Sequence, residues 1–309
     1  MAAIEISSVT KRFGTYAAVN DVSLSVPEGS IYGFIGPNGS GKTTTIRMIM
    51  NILLPDAGDV TVFGRHSSSS ARDDVGYLPE ERGLYKRMPV RRLLRYYGQL
   101  KGKSVKDLDP VINTWLERFQ LTPWGDKKIE ALSKGMAQKV QFISAIVSKP
   151  KLLILDEPFS GLDPVNADAL KDAVLDLRRQ GTTIVFSTHD MLAAERLCDR
   201  IFMIFKGQKV LDGTLDEIQS NYGHDTVRVK VSGGHAALAG FTEIESINDY
   251  GNHQDLRLVG DPQAFLLKLA QKTAVQHFEL TKPSLHDIFV RIAQPTAEDM
   301  KPPVPGAHS

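Results

Sequence analysis

A glycine-rich segment near the start of the chain constrains the fold more than any other feature. Residues 36–43 read Gly-Pro-Asn-Gly-Ser-Gly-Lys-Thr, which fits the pattern G-x-x-x-x-G-K-[ST] in full. An apolar run with the character of a buried strand, 31–35, precedes it, and a stretch with helical spacing, 42–52, follows it. The order of strand, glycine turn and helix is the context in which this pattern forms a phosphate-binding loop.

This loop has the chemistry of a nucleotide site. Glycines let successive backbone N–H groups point at one phosphate chain, and the N-terminus of the following helix adds a partial positive charge. We predict that Lys42 bridges the β- and γ-phosphates of ATP and that the Thr43 hydroxyl holds Mg²⁺. The predicted nucleotide-binding residues of the loop are Gly36, Pro37, Asn38, Gly39, Ser40, Gly41, Lys42, Thr43 and Thr44.

A second apolar strand ends in two acidic residues. The run 152–155 is followed by Asp156 and Glu157. Two carboxylates after a strand are often only a solvated strand end, but beside a phosphate loop they predict a hydrolytic centre. We expect Asp156 to hold Mg²⁺ through water and Glu157 to act as the general base that polarises the attacking water.

Between these two motifs, residues 132–136 read Leu-Ser-Lys-Gly-Met and open a helical pattern. In isolation the segment would indicate only a helix N-cap. In this position it resembles the signature of the ABC ATPase family, usually L-S-G-G-Q, with Lys134 in place of the first glycine and Met136 in place of the glutamine. The resemblance implies that Ser133, Gly135 and the helix N-terminus cap the γ-phosphate of ATP held by a second subunit.

Three further residues match the family in its order along the chain, and their roles are those that the resemblance implies. Phe13 matches the aromatic residue that stacks on adenine, with an ordinary core position or nearby Tyr16 as alternatives. Asp163 ends a Ser-Gly-Leu-Asp segment that matches the D-loop, which touches the site of the opposite subunit. His189 follows an apolar strand and matches the switch histidine, which contacts the γ-phosphate and orients water.

One family position departs from its usual residue. The strand 75–79 should be followed by glutamine, and here Glu80 stands in that place. A carboxylate can accept hydrogen bonds from water or bind Mg²⁺, but it cannot donate as an amide does. We therefore expect Glu80 to lie at the nucleotide and the metal, with added negative charge that Arg82 is placed to offset.

Two segments resemble a particular subset of the family, the ATPases that serve type-2 ABC exporters. Residues 79–85 read Pro-Glu-Glu-Arg-Gly-Leu-Tyr, as in that subset. Its members, including sodium-extrusion-type ATPases, also carry a small C-terminal domain that ends much like Pro-Ser-Leu-His-Asp-Ile-Phe-Val, residues 283–290 here. The resemblance covers nearly the whole chain and implies an exporter.

Changes of pattern along the chain predict its organisation. We expect an α/β ATP-binding domain of ABC type over residues 1–221, in which an antiparallel β subdomain and a helical insertion at about 84–150 accompany a parallel sheet. Strands that alternate apolar and charged residues predict a small α+β domain over 222–294. The proline-containing tail, 295–309, is expected to be disordered.

The composition of the chain limits the classes of partner that we expect. The net charge of +1 lacks the basic excess of a nucleic-acid protein, so we expect no nucleic-acid partner. The sequence has no run of 18 or more apolar residues and no leader pattern, so we expect it to act at a membrane only through a partner. The family resemblance implies a homodimer of ATP-binding subunits and an integral membrane permease, on the cytoplasmic face of the cell membrane.

Other functions are also compatible with a nucleotide site. A soluble ABC ATPase of DNA repair would show long heptad helices between the two motifs, and a ribosomal one usually has two cassettes; the sequence shows neither. A regulator that binds nucleotide without hydrolysis is disfavoured by the intact Lys42, Asp156, Glu157 and His189. A switch GTPase is disfavoured because the guanine-reading N-K-x-D motif is absent from the sequence.

Overall fold

The computed structural model describes residues 1–66, 73–81, 83–222 and 226–294. By its internal contacts the chain divides into two compact units, Met1–Thr214 and a second unit that begins at Leu215. The sequence places the domain boundary after residue 221, so the two divisions differ by one short helix. The tail expected to be disordered lies outside the described residues. Within the described ranges, no helix is both long enough and apolar enough to span a membrane.

The first unit is built from two sheets and a set of helices. Its strands are β1 (Ala2–Phe13), β2 (Tyr16–Pro27), β3 (Ile31–Ile35), β4 (Ala57–Val62), β5 (Arg65–His66), β6 (Val75–Leu78), β7 (Leu152–Asp156), β8 (Thr183–Thr188), β9 (Arg200–Phe205) and β10 (Gln208–Gly213). Its helices are α1 (Lys42–Ile49), α2 (Val90–Leu100), α3 (Val105–Arg118), α4 (Lys134–Ile146), α5 (Pro164–Arg179) and α6 (Met191–Leu197).

The predicted antiparallel sheet is present, with the strand order β2-β1-β4-β5. In the pairing of β1 with β2, Ile4 lies opposite Val26 and Ile6 lies opposite Leu24. All four side chains are buried. The alternation of apolar and polar residues therefore sets one buried face along both strands.

The predicted parallel sheet forms the centre of the unit, with the order β10-β9-β3-β8-β7-β6 and only β10 antiparallel to its neighbour. Every residue of β3, β7 and β8 is buried, which explains their continuous apolar runs. At the carboxyl ends of these strands Ile35 pairs with Thr188, and Asp156 pairs with Ser187. The glycine-rich loop, the two acidic residues and His189 therefore emerge at one edge of the sheet.

Local capping sets where the helices of this unit begin and end. Helices α3 and α4 begin at Val105 and Lys134, because the side chains of Ser104 and Ser133 accept the N–H groups of Asp107 and Met136 as N-caps. The helix predicted over 42–52 ends at Ile49. Asn51 turns the chain there with a left-handed φ of 51°, a conformation that asparagine tolerates better than most residues.

The second unit is a four-stranded antiparallel sheet with helices. Its elements are α7 (Leu215–Asn221), β11 (Thr226–Val231), α8 (Gly234–Ala237), β12 (Ile244–Asp249), β13 (Gln254–Leu258), α9 (Pro262–Lys272), β14 (Val275–Thr281) and α10 (Leu285–Ala293), with the strand order β12-β13-β11-β14. The apolar positions of β11 and β13 pack against Phe265 and Leu269 of α9. Ser284 caps α10, and Asp287 completes a capping box.

Replacing Phe265 by alanine tests the core of the second unit. Phe265 is 1% exposed, so Phe265→Ala leaves a cavity and should destabilise this unit by about 3–5 kcal/mol. Leu267→Ala is the matched control on the same helix, because Leu267 is 68% exposed, and it should change stability by less than about 0.5 kcal/mol. Calorimetric unfolding measures both, and equal losses for the two variants would contradict this core.

Candidate functional site

The glycine-rich loop joins β3 to α1 and encloses a lysine. Gly41 has a φ of 111°, and a Cβ added there would lie 2.5 Å from the carbonyl oxygen of Ala18, so glycine is required at this point. Lys42 begins α1 and is only 6% exposed. Its ammonium donates to the carbonyl oxygens of Gly36 at 2.6 Å and Pro37 at 3.1 Å. The loop thus holds one buried cation within its own turn.

Buried polar groups in this loop suit a phosphate ligand. Burial lowers the pKa of the Lys42 ammonium, while the carboxylates of Glu157 and Asp156 oppose that shift. The Nζ of Lys42 lies 3.9 Å from Oε1 of Glu157. The buried hydroxyl of Ser40 has no hydrogen-bond partner among the described residues. A phosphate chain would accept from both the ammonium and the hydroxyl, so these residues fit the predicted ligand.

The two acidic residues differ in their surroundings. Asp156 ends β7, is 2% exposed, and accepts hydrogen bonds from the hydroxyls of Ser187 and Thr43. Burial raises the pKa of this carboxyl, and the two hydrogen bonds oppose that shift. Glu157 follows with a left-handed φ of 48°, which turns its side chain toward the loop lysine. Asp156 therefore faces Thr43, whereas Glu157 faces Lys42.

His189 contacts the second acidic residue, Glu157. Nδ1 of His189 lies 3.0 Å from Oε1 of Glu157, and the histidine side chain is 53% exposed. The hydrogen bond to Glu157 raises the pKa of His189, and partial burial opposes the increase. The acid and the imidazole predicted to handle the attacking water are thus in direct contact.

Glu80 lies beside the same carboxylates. Burial and the charges of Asp156 and Glu157 raise the pKa of Glu80. A small cavity of about 170 Å³ is lined by these three acids together with Lys134 of the Leu-Ser-Lys-Gly-Met segment. The carboxylates therefore share one polar space. Arg82, which the sequence offered as an offsetting charge, lies outside the described residues.

Ser133, Gly135 and Asp163 make no direct bond to the glycine-rich loop in the described ranges. Ser133 accepts from the backbone of its own helix at 3.3 Å, and Asp163 caps α5 by accepting from the N–H of Asn166 at 3.0 Å. Across the described ranges, no hydrogen bond or ion pair joins these three residues to residues 36–44. Within one chain, the side chains of Ser133 and Asp163 therefore serve as N-caps of their own helices.

The two aromatic candidates for adenine stacking face each other at the end of the β1–β2 hairpin. Phe13 pairs with Tyr16 across the strands, and they are 52% and 56% exposed. Phe13 is therefore not a core residue. The Tyr16 hydroxyl donates to the carbonyl oxygen of Gly39 at 3.3 Å, which ties that side chain to the loop. Both rings are accessible to a planar ligand.

Three contacts of the site were missed by reasoning from the sequence. Gln138 on α4 donates to the carbonyl oxygen of Pro158 at 2.7 Å, next to the acid pair. Gln141, one turn later, donates to the carbonyl oxygens on either side of Glu80, at 3.4 and 3.1 Å. Ser187 bonds to Asp156. The three-residue spacing of the glutamines is a sequence signal for one helix face, but their targets depend on the tertiary fold.

A resident metal centre formed by protein groups alone is not found in the described part of the chain. No group of three or more histidine, cysteine, aspartate or glutamate side chains there is arranged to hold a metal ion. Magnesium commonly uses only one or two protein ligands and completes its shell with phosphate oxygens and water. Thr43 and Asp156, which are hydrogen-bonded to each other, fit that smaller donor set.

Two family models match separate parts of the chain. Residues 19–160 match the model described as ABC transporter. Residues 213–293 match the model described as ATP-binding protein DrrA1-3-like, C-terminal domain. The first match contains the glycine-rich loop and the two acidic residues, and the second covers nearly all of the second compact unit.

Two relatives match this chain over nearly its whole length. The chain is 43% identical over 289 residues to the uncharacterized ABC transporter ATP-binding protein YhaQ of Bacillus subtilis (strain 168), a match that covers 93% of this chain and 97% of the relative. It is 33% identical over 310 residues to the Nod factor export ATP-binding protein I of Burkholderia lata, covering 97% and 99%. Each match covers more than nine-tenths of both chains, so the similarity includes the second unit.

A solved structure agrees with the fold of the first unit. The structure of an ATP binding subunit of an ABC transporter superposes with a TM-score of 0.68 at 31% identity, covering 72% of this chain and 93% of that one. A nucleotide-free ATP-binding cassette from an ABC transporter gives 0.62 at 25% identity, covering 71% and 94%. These likenesses confirm the predicted fold class.

The contact between His189 and Glu157 generates a prediction about titration. Since the folded protein holds the pKa of His189 above 6.5, protonation of this residue stabilises the fold. That contribution is complete below about pH 6.5 and is lost as the pH rises through the raised value. Glu157→Gln removes the charge that favours the imidazolium, so the pKa of His189 should fall. Histidine NMR titration measures it, with the His189→Gln spectrum as the assignment control; an unchanged pKa would refute the contact.

Proposed function

The chain belongs to the family of ABC transporter ATP-binding proteins, and on that premise we propose that it hydrolyses Mg-ATP to drive a separate membrane permease. Proteins of this family bind ATP and work with membrane permease components. The observation that carries the proposal is the convergence of Lys42, Asp156, Glu157 and His189 at one edge of the parallel sheet.

The proposed division of labour follows from the contacts. Lys42 would release the loop carbonyls and bind the β- and γ-phosphates, which are stronger acceptors for a buried ammonium. Thr43 and Asp156 would hold Mg²⁺, with Glu80 close enough to join through water. The bound ion neutralises charge on the phosphates. Glu157 would accept a proton from the attacking water while His189 keeps it in place.

We propose that two copies of the chain complete each site. Within the described ranges of one chain, no hydrogen bond or ion pair joins the loop to Ser133, Gly135 or Asp163, and a head-to-tail pair would bring these residues to the loop of the second copy. Ser133 stands at the N-terminus of a helix of 13 residues, where a hydroxyl, N–H groups and the helix dipole suit the γ-phosphate. Phe13 or Tyr16 would stack on the adenine.

The permease has a candidate docking surface on the first unit. An apolar cavity of about 300 Å³ lies beside the loop that carries Glu80 and is lined in part by Met50, Leu84, Tyr97 and Leu100. The rings of Tyr85, Tyr96 and Tyr97 contact one another next to it, with centroid distances of 5.9 and 5.7 Å. We propose that a cytoplasmic helix of the permease binds here, since an apolar groove suits an amphipathic helix.

Export is the proposed direction of transport. The Burkholderia lata relative is named for Nod factor export, and another, from Bacillus subtilis (strain 168) at 30% identity over 310 residues, is named for linearmycin resistance. In this proposal the chain sits on the cytoplasmic face of the cell membrane. Residues 1–221 act as the motor domain and 222–294 as an accessory domain.

Replacing the proposed general base tests the hydrolytic assignment. Glu157→Gln should leave ATP binding intact and lower turnover by about 10²–10⁴-fold, because the amide cannot accept the proton of water. Lys42→Ala is the contrasting variant and should lose tight nucleotide binding, since it removes the only buried ammonium of the described loop. Steady-state ATPase assays and binding of a fluorescent ATP analogue give the two readouts. Wild-type protein without ATPase activity would instead favour a non-hydrolysing regulator.

A further inference from the structure

One buried hydroxyl connects the two acidic residues of the site. Ser187 lies in β8, directly opposite Asp156 of β7, and is 0% exposed. Its hydroxyl donates to the Asp156 carboxylate, and the same oxygen accepts the backbone N–H of Glu157 at 3.1 Å. A single side chain thus contacts the carboxylate proposed to hold magnesium and the backbone of the proposed base.

The backbone of Glu157 depends on this contact. Its φ of 48° is uncommon for a residue with a side chain, and such conformations persist where the surroundings hold them. Besides the Ser187 hydroxyl, the backbone carbonyl oxygen of Ser187 accepts the Glu157 N–H at 3.3 Å. The turn at Glu157 brings its carboxylate to within 3.0 Å of His189. Ser187 therefore stabilises the turn that aims the base.

The carboxylate of Asp156 depends on the same hydroxyl in a different way. A carboxylate that is 2% exposed needs hydrogen-bond donors from the protein, because burial removes it from water. Ser187 and Thr43 supply side-chain donors to it. Since Thr43 is itself a proposed magnesium ligand, Ser187 would be the side-chain donor that remains with Asp156 if Thr43 bound the ion.

We propose that Ser187 is a positioning residue of the hydrolytic site, which holds the Asp156 carboxylate in the orientation suited to magnesium and keeps Glu157 aimed at the attacking water. The inference rests on the proposed ATPase function. The inference predicts that loss of the Ser187 hydroxyl impairs the steps that require magnesium and leaves nucleotide binding by the phosphate loop unaffected.

Threonine and valine at position 187 form the matched test, because they have the same shape and differ only in the hydroxyl. Ser187→Val should lower kcat by about 10- to 100-fold, the effect expected for a lost hydrogen bond to a charged group. It should also raise the Mg²⁺ concentration needed for half-maximal activity. Ser187→Thr should retain most activity. With EDTA present to remove Mg²⁺, the ATP affinity of both variants should stay within about twofold of wild type, since binding of the phosphates without the ion uses Lys42.

Equal kcat values for Ser187→Val and Ser187→Thr, in folded proteins, would overturn the inference. If the added methyl group prevents folding, Ser187→Ala removes the hydroxyl without adding volume and should show the same loss as valine. The increase in ATP affinity on adding Mg²⁺ provides a readout without turnover, and Ser187→Ala should reduce it. Wild-type protein that lacks ATPase activity would refute the proposed function, whereas an undiminished magnesium effect in Ser187→Ala would refute only the role of Ser187.

Discussion

The structure depends on a cluster of buried charges at the carboxyl edge of the parallel sheet. Lys42, Asp156 and Glu157 are each less than one-tenth exposed, and removing such groups from water costs several kcal/mol per ion unless partners compensate. Loop carbonyls hold the lysine, two hydroxyls hold Asp156, and His189 contacts Glu157. The register of β3, β8 and β7 brings these partners together, so the pairing of the strands determines the contacts within the site.

The contacts of this cluster also support the proposed two-copy site. The loop lysine is bonded to carbonyls of its own turn, while Ser133 and Asp163 cap helices. In the proposed cycle, ATP contacts the loop of one copy and Ser133 of the other only when the two copies close on it. These added contacts with ATP favour the closed state. Converting a balance of 1:99 to 99:1 requires a preference of about 5.5 kcal/mol for the closed state. That difference in free energy would drive the movement of a permease bound beside Glu80.

The sequence predicts those parts of the site that local patterns determine. The glycine-rich loop, the acidic pair and the N-cap Ser133 are all encoded within a few residues, and the structure has them on the expected elements. The role of Ser187 requires the register between β7 and β8, and the contacts of Gln138 and Gln141 require the position of α4 against two loops. Such contacts follow from tertiary packing, which no local pattern specifies.

The most direct test of the two-copy site is the mass of the Glu157→Gln protein in solution, measured by light scattering with saturating Mg-ATP and again with ADP. Slow turnover should trap the closed state, so we predict a dimer with ATP and a monomer with ADP, and Ser133→Arg should abolish the ATP-dependent dimer. A Glu157→Gln protein that binds ATP and remains a monomer at high concentration would contradict the account.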